Sequence, residues 1–353
     1  MVKQFTRTFH PIGQGAFYTE KIVTDIKDYN VIYDCGSSTL KGNKLKKYVN
    51  NSFYENEEID LLFISHFHAD HINGLDFLKT RCKIKKVVMP LLDDIAKILA
   101  RISLMLDGEN TAIIDNPSSY FGNDTEIIEV NPISEYRQEG KEYTLETLFD
   151  IDVINSGAKI VIDTDWYYIP YNYEMTTRNG QFISELNKVG LSIYDVNTID
   201  KIISNKEKII QAYEKVDSRL NPLSLILFSG NTYTRLKTYY SRYYYRYFKS
   251  NNSGCLYLGD IDLNQVKIVE DIKSRLNFYW GNISIIQIPH HGSIDNYKDS
   301  ILSPSIKFAV LSYGTTNTYG HPSSLVRASL LLSNVYPFHI TEIQESIVIQ
   351  FKR

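Results

Sequence analysis

The sequence lacks the features that would assign it to a secreted or membrane class. It has three cysteines in 353 residues, Cys35, Cys82 and Cys255, and their wide spacing argues against a disulfide framework and for a reducing compartment. No apolar run approaches the ~20 residues that cross a bilayer, and the first residues lack the apolar core of a secretory signal. These absences predict a cytoplasmic protein without a membrane segment.

Charge of one sign is also scarce. The formal net charge is -3, so we expect no bulk attraction to nucleic acid or to an anionic membrane. The length is sufficient to bury a substantial core. Because neither an internal repeat nor a Pro/Gly/Ser-rich linker divides the chain, we predict a single domain over residues 1–353.

The hydrophobic pattern predicts a layered α/β fold. Short apolar strands alternate with polar turns over about the first 90 residues and return after residue 220. Residues 93–217 have a mostly helical pattern, interrupted by an aromatic-rich strand pair at 159–173, and we interpret them as an insertion that shapes the site. The order of elements favours a four-layer αββα sandwich, in which two sheets have helices on both outer faces.

The strongest chemical signal is the segment His66-Phe67-His68-Ala69-Asp70-His71, which directly follows an apolar strand and contains three of the eight histidines. His66 and His68 can face one ion, while Asp70 and His71 can turn toward a second. Imidazole and carboxylate together suit borderline divalent metals. The alternative is a surface cluster of histidines, which this position at a strand end makes less favourable.

Two later strand ends offer the remaining ligands. Asp260 follows the strand at 254–258, and Gly259 removes side-chain bulk beside it, so Asp260 is the expected bridging carboxylate. His290 and His291 follow the next strand. We predict that His290 completes the second metal because it lies nearer the strand end, and that His291 contacts the ligands or the substrate.

A further strand end leads into a helix through the segment 312–323. His321 and the free amides of this loop would suit an anionic group such as a phosphate. A plain helix-entry loop is the competing interpretation.

These elements, in this order, resemble the metallo-β-lactamase superfamily, and most closely the hydrolase domain attached to bacterial DNA-uptake channels and its stand-alone relatives. The similarity covers about residues 8–90 and 220–350. It includes Ile12-Gly13-Gln14-Gly15-Ala16, Asp34-Cys35-Gly36, Asn221-Pro222-Leu223-Ser224, and the His-His-Gly-Ser and Gly-His-Pro segments. The resemblance implies an αββα sandwich with two divalent ions, Asp34 supporting the metal-binding loop, and Asn221, His291, Ser293 and Asn317 near the ligands or the substrate.

The resemblance also implies phosphodiester cleavage of nucleic acid or a nucleotide by a water that two ions activate. Asp70 and Asp260 would hold the ions, and His321 would contact a phosphate oxygen or protonate the leaving group. The third histidine of the superfamily's first metal has no counterpart, because Asn221 occupies roughly that place. Zinc is the expected metal, and the missing histidine makes manganese the main alternative.

A basic, tyrosine-rich excursion over residues 230–253 independently favours a nucleic-acid substrate. Aromatic faces can stack on bases while cations follow the backbone. The predicted contacts are Arg235, Lys237, Tyr240, Arg242, Tyr244 and Arg246. The alternative is a two-stranded excursion whose side chains pack on each other or on a partner chain.

Two other classes of function stay open. The fold hosts many activities, so the substrate could be an ester, a lactone or a thioester. The chain could instead be a binding or regulatory module with a structural metal. In that case the insertion and the tyrosine-rich segment would contact a protein partner or a second copy of the chain.

Overall fold

The computed structural model describes residues 2–133, 141–174, 176–216, 223–231, 235–240, 246–250 and 252–352. The strands are β1 (Gln4–Phe9), β2 (Gly15–Val23), β3 (Asp28–Ser37), β4 (Glu57–Ile59), β5 (Leu61–Phe63), β6 (Cys82–Ile84), β7 (Lys86–Pro90), β8 (Glu126–Val130), β9 (Glu142–Thr144), β10 (Val153–Ile154), β11 (Lys159–Ile162), β12 (Trp166–Glu174), β13 (Leu223–Gly230), β14 (Leu236–Tyr240), β15 (Arg246–Ser250), β16 (Gly254–Tyr257), β17 (Ile283–Gln287), β18 (Phe308–Ser312), β19 (Tyr336–Ile340) and β20 (Val348–Lys352). The helices are α1 (Asn43–Ser52), α2 (Ala69–Ile72), α3 (Leu75–Arg81), α4 (Asp94–Asp107), α5 (Ala112–Asp115), α6 (Pro117–Phe121), α7 (Thr176–Lys188), α8 (Ile199–Ser204), α9 (Lys206–Tyr213), α10 (Ile268–Arg275), α11 (Asn277–Trp280) and α12 (Ser324–Leu332).

Two large sheets form the centre of the molecule. One has the strand order β10-β8-β7-β5-β3-β2-β1-β20-β14-β15, and the other has the order β19-β18-β17-β16-β13-β12-β11-β9. Strands β3, β5 and β7 run parallel in the first sheet, and β16, β17 and β18 run parallel in the second. Because parallel strands end at the same edge of a sheet, the loops that follow them are brought together.

Among the described residues, four apolar clusters pack the sheets and helices, and three of them lie on the faces of the two large sheets. Between the sheets, Tyr33 stacks on Tyr257 with ring centroids 4.8 Å apart, and Phe63 lies 5.5 Å from Tyr168. On the outer face of the second sheet, α10 and α12 cover an aliphatic layer. On the outer face of the first sheet, α1, α3 and α4 cover another. The predicted αββα sandwich is confirmed.

The segment 93–217 differs from a simple helical insertion. Its two ends are helical, with α4, α5 and α6 first and α7, α8 and α9 last. Between them, β8 and β10 join the first sheet, whereas β9, β11 and β12 join the second. The middle of this segment is therefore part of the sandwich. The reason is pairing, since β12 is hydrogen-bonded on both sides, to β11 and to β13, over an aromatic-rich stretch.

The tyrosine-rich excursion forms an antiparallel hairpin of β14 and β15, which extends the first sheet beyond β20. The alternation of β14 buries Leu236, Thr238 and Tyr240, while Lys237 and the preceding Arg235 are exposed. The Tyr240 hydroxyl donates a hydrogen bond to the carbonyl of His339 at 3.1 Å. The prediction that Tyr240 contacts nucleic acid is therefore wrong, because its ring belongs to the core.

The other three predicted nucleic-acid contacts are Arg242, Tyr244 and Arg246, and the structure describes only the last of them. Arg242 and Tyr244 lie outside the described residues, and Arg246 begins β15. Within the described part of the chain, no helix combines the length and apolarity needed to span a bilayer.

A buried ion pair lies between the two sheets. Arg7 of β1 donates from Nε to Glu20 Oε1 of β2 at 2.6 Å, and both side chains are buried. Glu20 also accepts hydrogen bonds from the hydroxyl groups of Tyr168, Ser229 and Tyr257. Arg7 also donates to the side chain of Gln350 and to the carbonyl oxygens of Ser229 and Ser253. Protein groups thus compensate both charges, which is the condition for burying them.

We predict that replacing Arg7 by Met lowers the free energy of unfolding by about 3–5 kcal/mol, because it leaves the Glu20 carboxylate buried without its cation. Urea denaturation measures this change. The matched control is Lys21→Met, which removes an exposed ion pair with Asp28 at 3.1 Å and should cost less than about 1 kcal/mol. Equal effects of the two substitutions would contradict the prediction.

Candidate metal centre

Six side chains from the loops after β5, β16 and β17 converge at one edge of the sandwich. They form two groups, His66 with His68 and Asp260, and Asp70 with His71 and His291. Within each group, one ligand atom from each residue lies within 4.8 Å of the others. The sequence predicted five of these six residues as ligands.

Asp260 lies between the two groups. Its Oδ2 is 3.7 Å from His66 Nε2 and 3.9 Å from His291 Nε2, and its Oδ1 is 3.3 Å from His71 Nε2. Asp70 reaches the second group from the other side, with Oδ2 at 3.0 Å from His291 Nε2. A carboxylate in the position of Asp260 can bridge two ions.

The histidine segment is held in place by close backbone contacts. His68 is extended, and α2 begins at the next residue, which turns Asp70 and His71 back toward the sheet edge. A Cβ atom on Gly36 would lie 2.6 Å from the backbone of Asp70 and His71. Only glycine at that position lets β3 pack directly against α2.

Hydrogen bonds to Asp34 fix the orientation of His71 directly and that of His66 through Ser65. Its Oδ1 accepts the Ser65 N–H at 2.7 Å, and its Oδ2 accepts the Ser65 hydroxyl at 2.6 Å and His71 Nδ1–H at 2.8 Å. Because the Ser65 hydroxyl donates to Asp34, its oxygen is left to accept His66 Nδ1–H at 2.9 Å. Both imidazoles therefore present Nε2 to the site, the arrangement that metal-binding histidines require.

Electrostatics favour the ligating protonation states. Burial, together with the neighbouring His71 and His68, holds the pKa of His66 well below its ordinary value, so this imidazole is neutral. Burial alone would raise the pKa of Asp260, but His71 and His291 outweigh it and hold that pKa well below its ordinary value. A neutral imidazole and an ionised carboxylate are the forms that bind divalent ions.

The site fits divalent metal ions. Within the described residues, the Nε2 atoms of His66 and His71 are buried and make no hydrogen bond. A buried polar atom without a partner is costly, and such atoms often mark an ion. Since these nitrogens face carboxylates and further imidazoles, the donor set matches that of borderline metals.

Residues 22–128 match the model of the metallo-beta-lactamase superfamily. This match, over less than half of the chain, is to the part that contains the histidine segment and supports the predicted resemblance to that superfamily. Among curated proteins, it is 34% identical to anti-Pycsar protein Apyc1 of Bacillus phage BSP38 over 77 residues, which are 20% of this chain and 28% of that protein. It is also 34% identical to the Apyc1 protein of Bacillus phage vB_BsuM-Goe3 over 71 residues, 18% of this chain and 25% of that protein. The chain thus spans about a quarter of the length of these relatives.

Solved structures similar to this chain include human tRNase Z, short form, and a diphosphatase from the PhnP family. The first has a TM-score of 0.35 and 8% identity, covering 95% of this chain and 92% of that one. The second has a TM-score of 0.34 and 11% identity, covering 89% of this chain and 87% of that one.

The geometry corrects one predicted ligand. His291, not His290, lies in the second group, and His290 Nδ1 is instead 2.7 Å from Asn296 Oδ1. Both histidines have positive φ, 48° and 58°, in the 3₁₀ turn His290–Gly292. This left-handed turn directs the second histidine inward, where its Nδ1–H donates to the Ser312 carbonyl at 3.0 Å and leaves Nε2 to face Asp70.

Of the remaining predicted residues, His321 is the one that the structure places beside the histidines of the loop after β17. His321 is half-buried, with its ring centroid 5.6 Å from that of His290 and 6.5 Å from that of His291. Burial, with His291 and His290 nearby, lowers the pKa of His321 to about 4. Asn317 donates to the His321 carbonyl at 2.8 Å and accepts the His321 N–H at 3.0 Å, so its amide shapes the loop. Ser293 is buried and accepts the Asp295 N–H at 3.2 Å. Asn221 lies outside the described residues.

Sequence reasoning missed several supporting polar residues. Gln287 is buried at the end of β17, where it accepts the Leu258 N–H at 2.7 Å and donates to the Gly259 carbonyl at 3.0 Å. It therefore fixes the turn that carries Asp260. Ser65 and Asn296 orient histidine rings, since each accepts a hydrogen bond from a ring Nδ1–H, of His66 and His290 respectively. For Gln287 and Ser65, the available signal was a polar residue at the end of an apolar strand.

We predict that the metal content separates the two adjacent histidines. His291→Ala should retain about one divalent ion fewer per chain than the parent, because it removes a member of the second group. His290→Ala should retain the parent content, since this side chain belongs to neither group. Elemental analysis after dialysis measures both. Loss of an ion from His290→Ala alone would reverse the assignment.

Proposed function

We propose that this protein is a metal-dependent phosphodiesterase that binds two divalent ions. The observation that carries the proposal is the position of Asp260, whose carboxylate lies within 3.9 Å of imidazole nitrogens from both ligand groups. One ion would be coordinated by His66, His68 and Asp260. The other would be coordinated by Asp70, His71 and His291.

Zinc is the metal that these ligands favour, and manganese is the main alternative. Imidazole nitrogens dominate the first group, and they suit zinc, whereas a larger share of oxygen ligands would suit manganese. Bound here, the ions would supply Lewis acidity and lower the pKa of a coordinated water.

The residues of this chain would bind and orient the substrate. His321 is half-buried beside the ligand groups, so it can hydrogen-bond a non-bridging phosphate oxygen. Helix α12 begins three residues after His321. The N–H groups of its first turn point toward its N-terminal end and favour an anion there. A phosphodiester therefore suits this edge better than a neutral ester or lactone.

Nucleic acid or a nucleotide is the substrate class that we propose. Arg235 and Lys237 are exposed on the hairpin of β14 and β15, where they can follow a phosphate backbone. The same hairpin could instead contact a protein partner or a second copy of the chain.

The proposal predicts turnover of bis-p-nitrophenyl phosphate by protein that has been loaded with zinc or manganese. Asp260→Asn should lower kcat/KM on the order of a hundredfold or more. The substitution removes the carboxylate that both ions would share, and bound metal ions stabilise the charge of the transition state by several kcal/mol. Single-stranded DNA, RNA and a cyclic nucleotide, assayed in parallel, identify the substrate class.

Asp262→Asn is the matched control for this experiment. Asp262 is also buried, and it accepts hydrogen bonds from Asn264 N–H at 2.9 Å and Gln265 Nε2 at 2.8 Å without belonging to either group. Its kcat/KM should stay within about threefold of the parent, a difference too small to represent a lost metal ligand. Hydrolysis of p-nitrophenyl acetate without any phosphodiesterase activity would favour the ester alternative. No turnover with either metal would favour a binding module.

A further inference from the structure

Tyr319 is a largely exposed aromatic side chain in the loop that carries His321. Its exposed fraction is 73%. Its ring lies nearly parallel to that of His321, with ring centroids 5.9 Å apart and planes inclined by 17°. This separation and angle are those of offset stacking. The imidazole therefore covers part of one face of the tyrosine ring, and most of the side chain is open to a ligand.

A row of rings connects Tyr319 to the candidate metal centre. The ring centroid of His321 lies 6.5 Å from that of His291, whose Nε2 is 3.0 Å from Asp70 Oδ2. Tyr319 is the next ring outward from His321. A substituent on a phosphate group that contacts His321 can therefore reach the ring of Tyr319.

The loop holds Tyr319 in this position. The amide nitrogen of Asn317 donates to the carbonyl oxygens of Gly314 at 2.6 Å and His321 at 2.8 Å, and its amide oxygen accepts the His321 N–H at 3.0 Å. Gly320, between the two stacked rings, has φ 75°, which glycine adopts without steric cost. Because the loop is already braced, a ligand that stacks on Tyr319 has little chain entropy to remove.

An aromatic face beside a phosphate site is suited to a nucleotide. Bases stack on aromatic side chains while other groups bind the phosphate. Stacking depends on the faces of the rings and needs no proton, so it does not depend on the protonation state of any histidine. The alternative is a surface tyrosine without a ligand, since single exposed apolar side chains are normal. Such a tyrosine would not affect the choice between substrates.

We propose that Tyr319 is a substrate-binding residue whose ring stacks on a nucleobase, which a sugar joins to the phosphate that is cleaved. This inference rests on the proposed function and narrows its substrate class to phosphodiesters that carry a nucleoside. Because every base has an aromatic face, stacking tolerates different bases and gives little selectivity among them.

Two phosphodiesters with the same leaving group test the inference. The p-nitrophenyl ester of thymidine 5′-monophosphate keeps a base on its phosphate after cleavage, whereas methyl p-nitrophenyl phosphate keeps only a methyl group. Metal-loaded parent protein should have the higher kcat/KM on the thymidine ester. The ratio of the two kcat/KM values should fall about tenfold in Tyr319→Ala, the effect of one base–aromatic stack. Equal losses on both esters would show that Tyr319 acts through His321, and they would overturn the contact with a base, as would an unaffected pair of rates.

Tyr319→Phe separates the ring from its hydroxyl group. The ratio should stay within about threefold of the parent, because a phenyl face also stacks on a base. A fall as large as that of Tyr319→Ala would assign the effect to the hydroxyl group and overturn the stacking role.

Tyr194→Ala is the matched control for Tyr319→Ala. Tyr194 has an exposed fraction of 74% and lies in the 3₁₀ turn Ile193–Asp195, between α7 and α8. Its removal should leave the ratio within about threefold of the parent, a range smaller than the loss of one stack. An equal fall in the two alanine variants would contradict a specific contact at Tyr319.

A binding measurement separates failure of this inference from failure of the proposed function. Calorimetric titration of the metal-loaded protein with thymidine 5′-monophosphate and with inorganic phosphate needs no turnover. Tyr319→Ala should weaken binding of the nucleotide by about tenfold more than binding of phosphate. This result without turnover of either ester would retain the base contact and overturn the proposed function alone. Equal effects on both ligands, with both esters still cleaved, would overturn the base contact and leave the proposed function in place.

Discussion

The ion pair of Arg7 and Glu20 is the interaction on which the rest of the sandwich depends. It is buried between the sheets, and its hydrogen bonds reach strands of both. One of those bonds comes from the Tyr257 hydroxyl, at the end of β16 and three residues before Asp260. Through Tyr257, the pair therefore contacts the strand that precedes the central carboxylate. Burying two charges gains little stability in itself, but misplacing either would be costly.

The same logic continues toward the candidate centre. Tyr257 stacks on Tyr33, and the next residue, Asp34, is the carboxylate that orients Ser65 and His71. Buried polar groups thus form successive layers, each of which is satisfied only in one arrangement. A buried polar network is costly when any of its hydrogen bonds is unmade, so it holds its side chains rigidly. This rigidity suits side chains that must point at ions.

Much of this protein could be predicted from local pattern. His66, His68, Asp70 and His71 lie within six residues, so the chemistry of the segment and its position at a strand end were both visible. The αββα layering followed from the alternation of apolar segments. The strand pair predicted at 159–173 is confirmed as β11 and β12, but its place in the second sheet depends on pairing with β13, which lies far along the chain.

The choice between adjacent residues was decided only by the tertiary structure. Proximity to the strand end favoured His290, but a left-handed turn directs His291 inward, and His290 Nδ1 lies 2.7 Å from Asn296 Oδ1 instead. Likewise, Tyr240 lies in a basic, tyrosine-rich segment whose composition is typical of a nucleic-acid contact. Pairing of β14 with β20 buries its ring instead. The sequence by itself determined which elements could form and which residues could bind metal, because those properties are local. Burial and orientation depend on partners far along the chain, so only the packed sheets decided which of those residues meet.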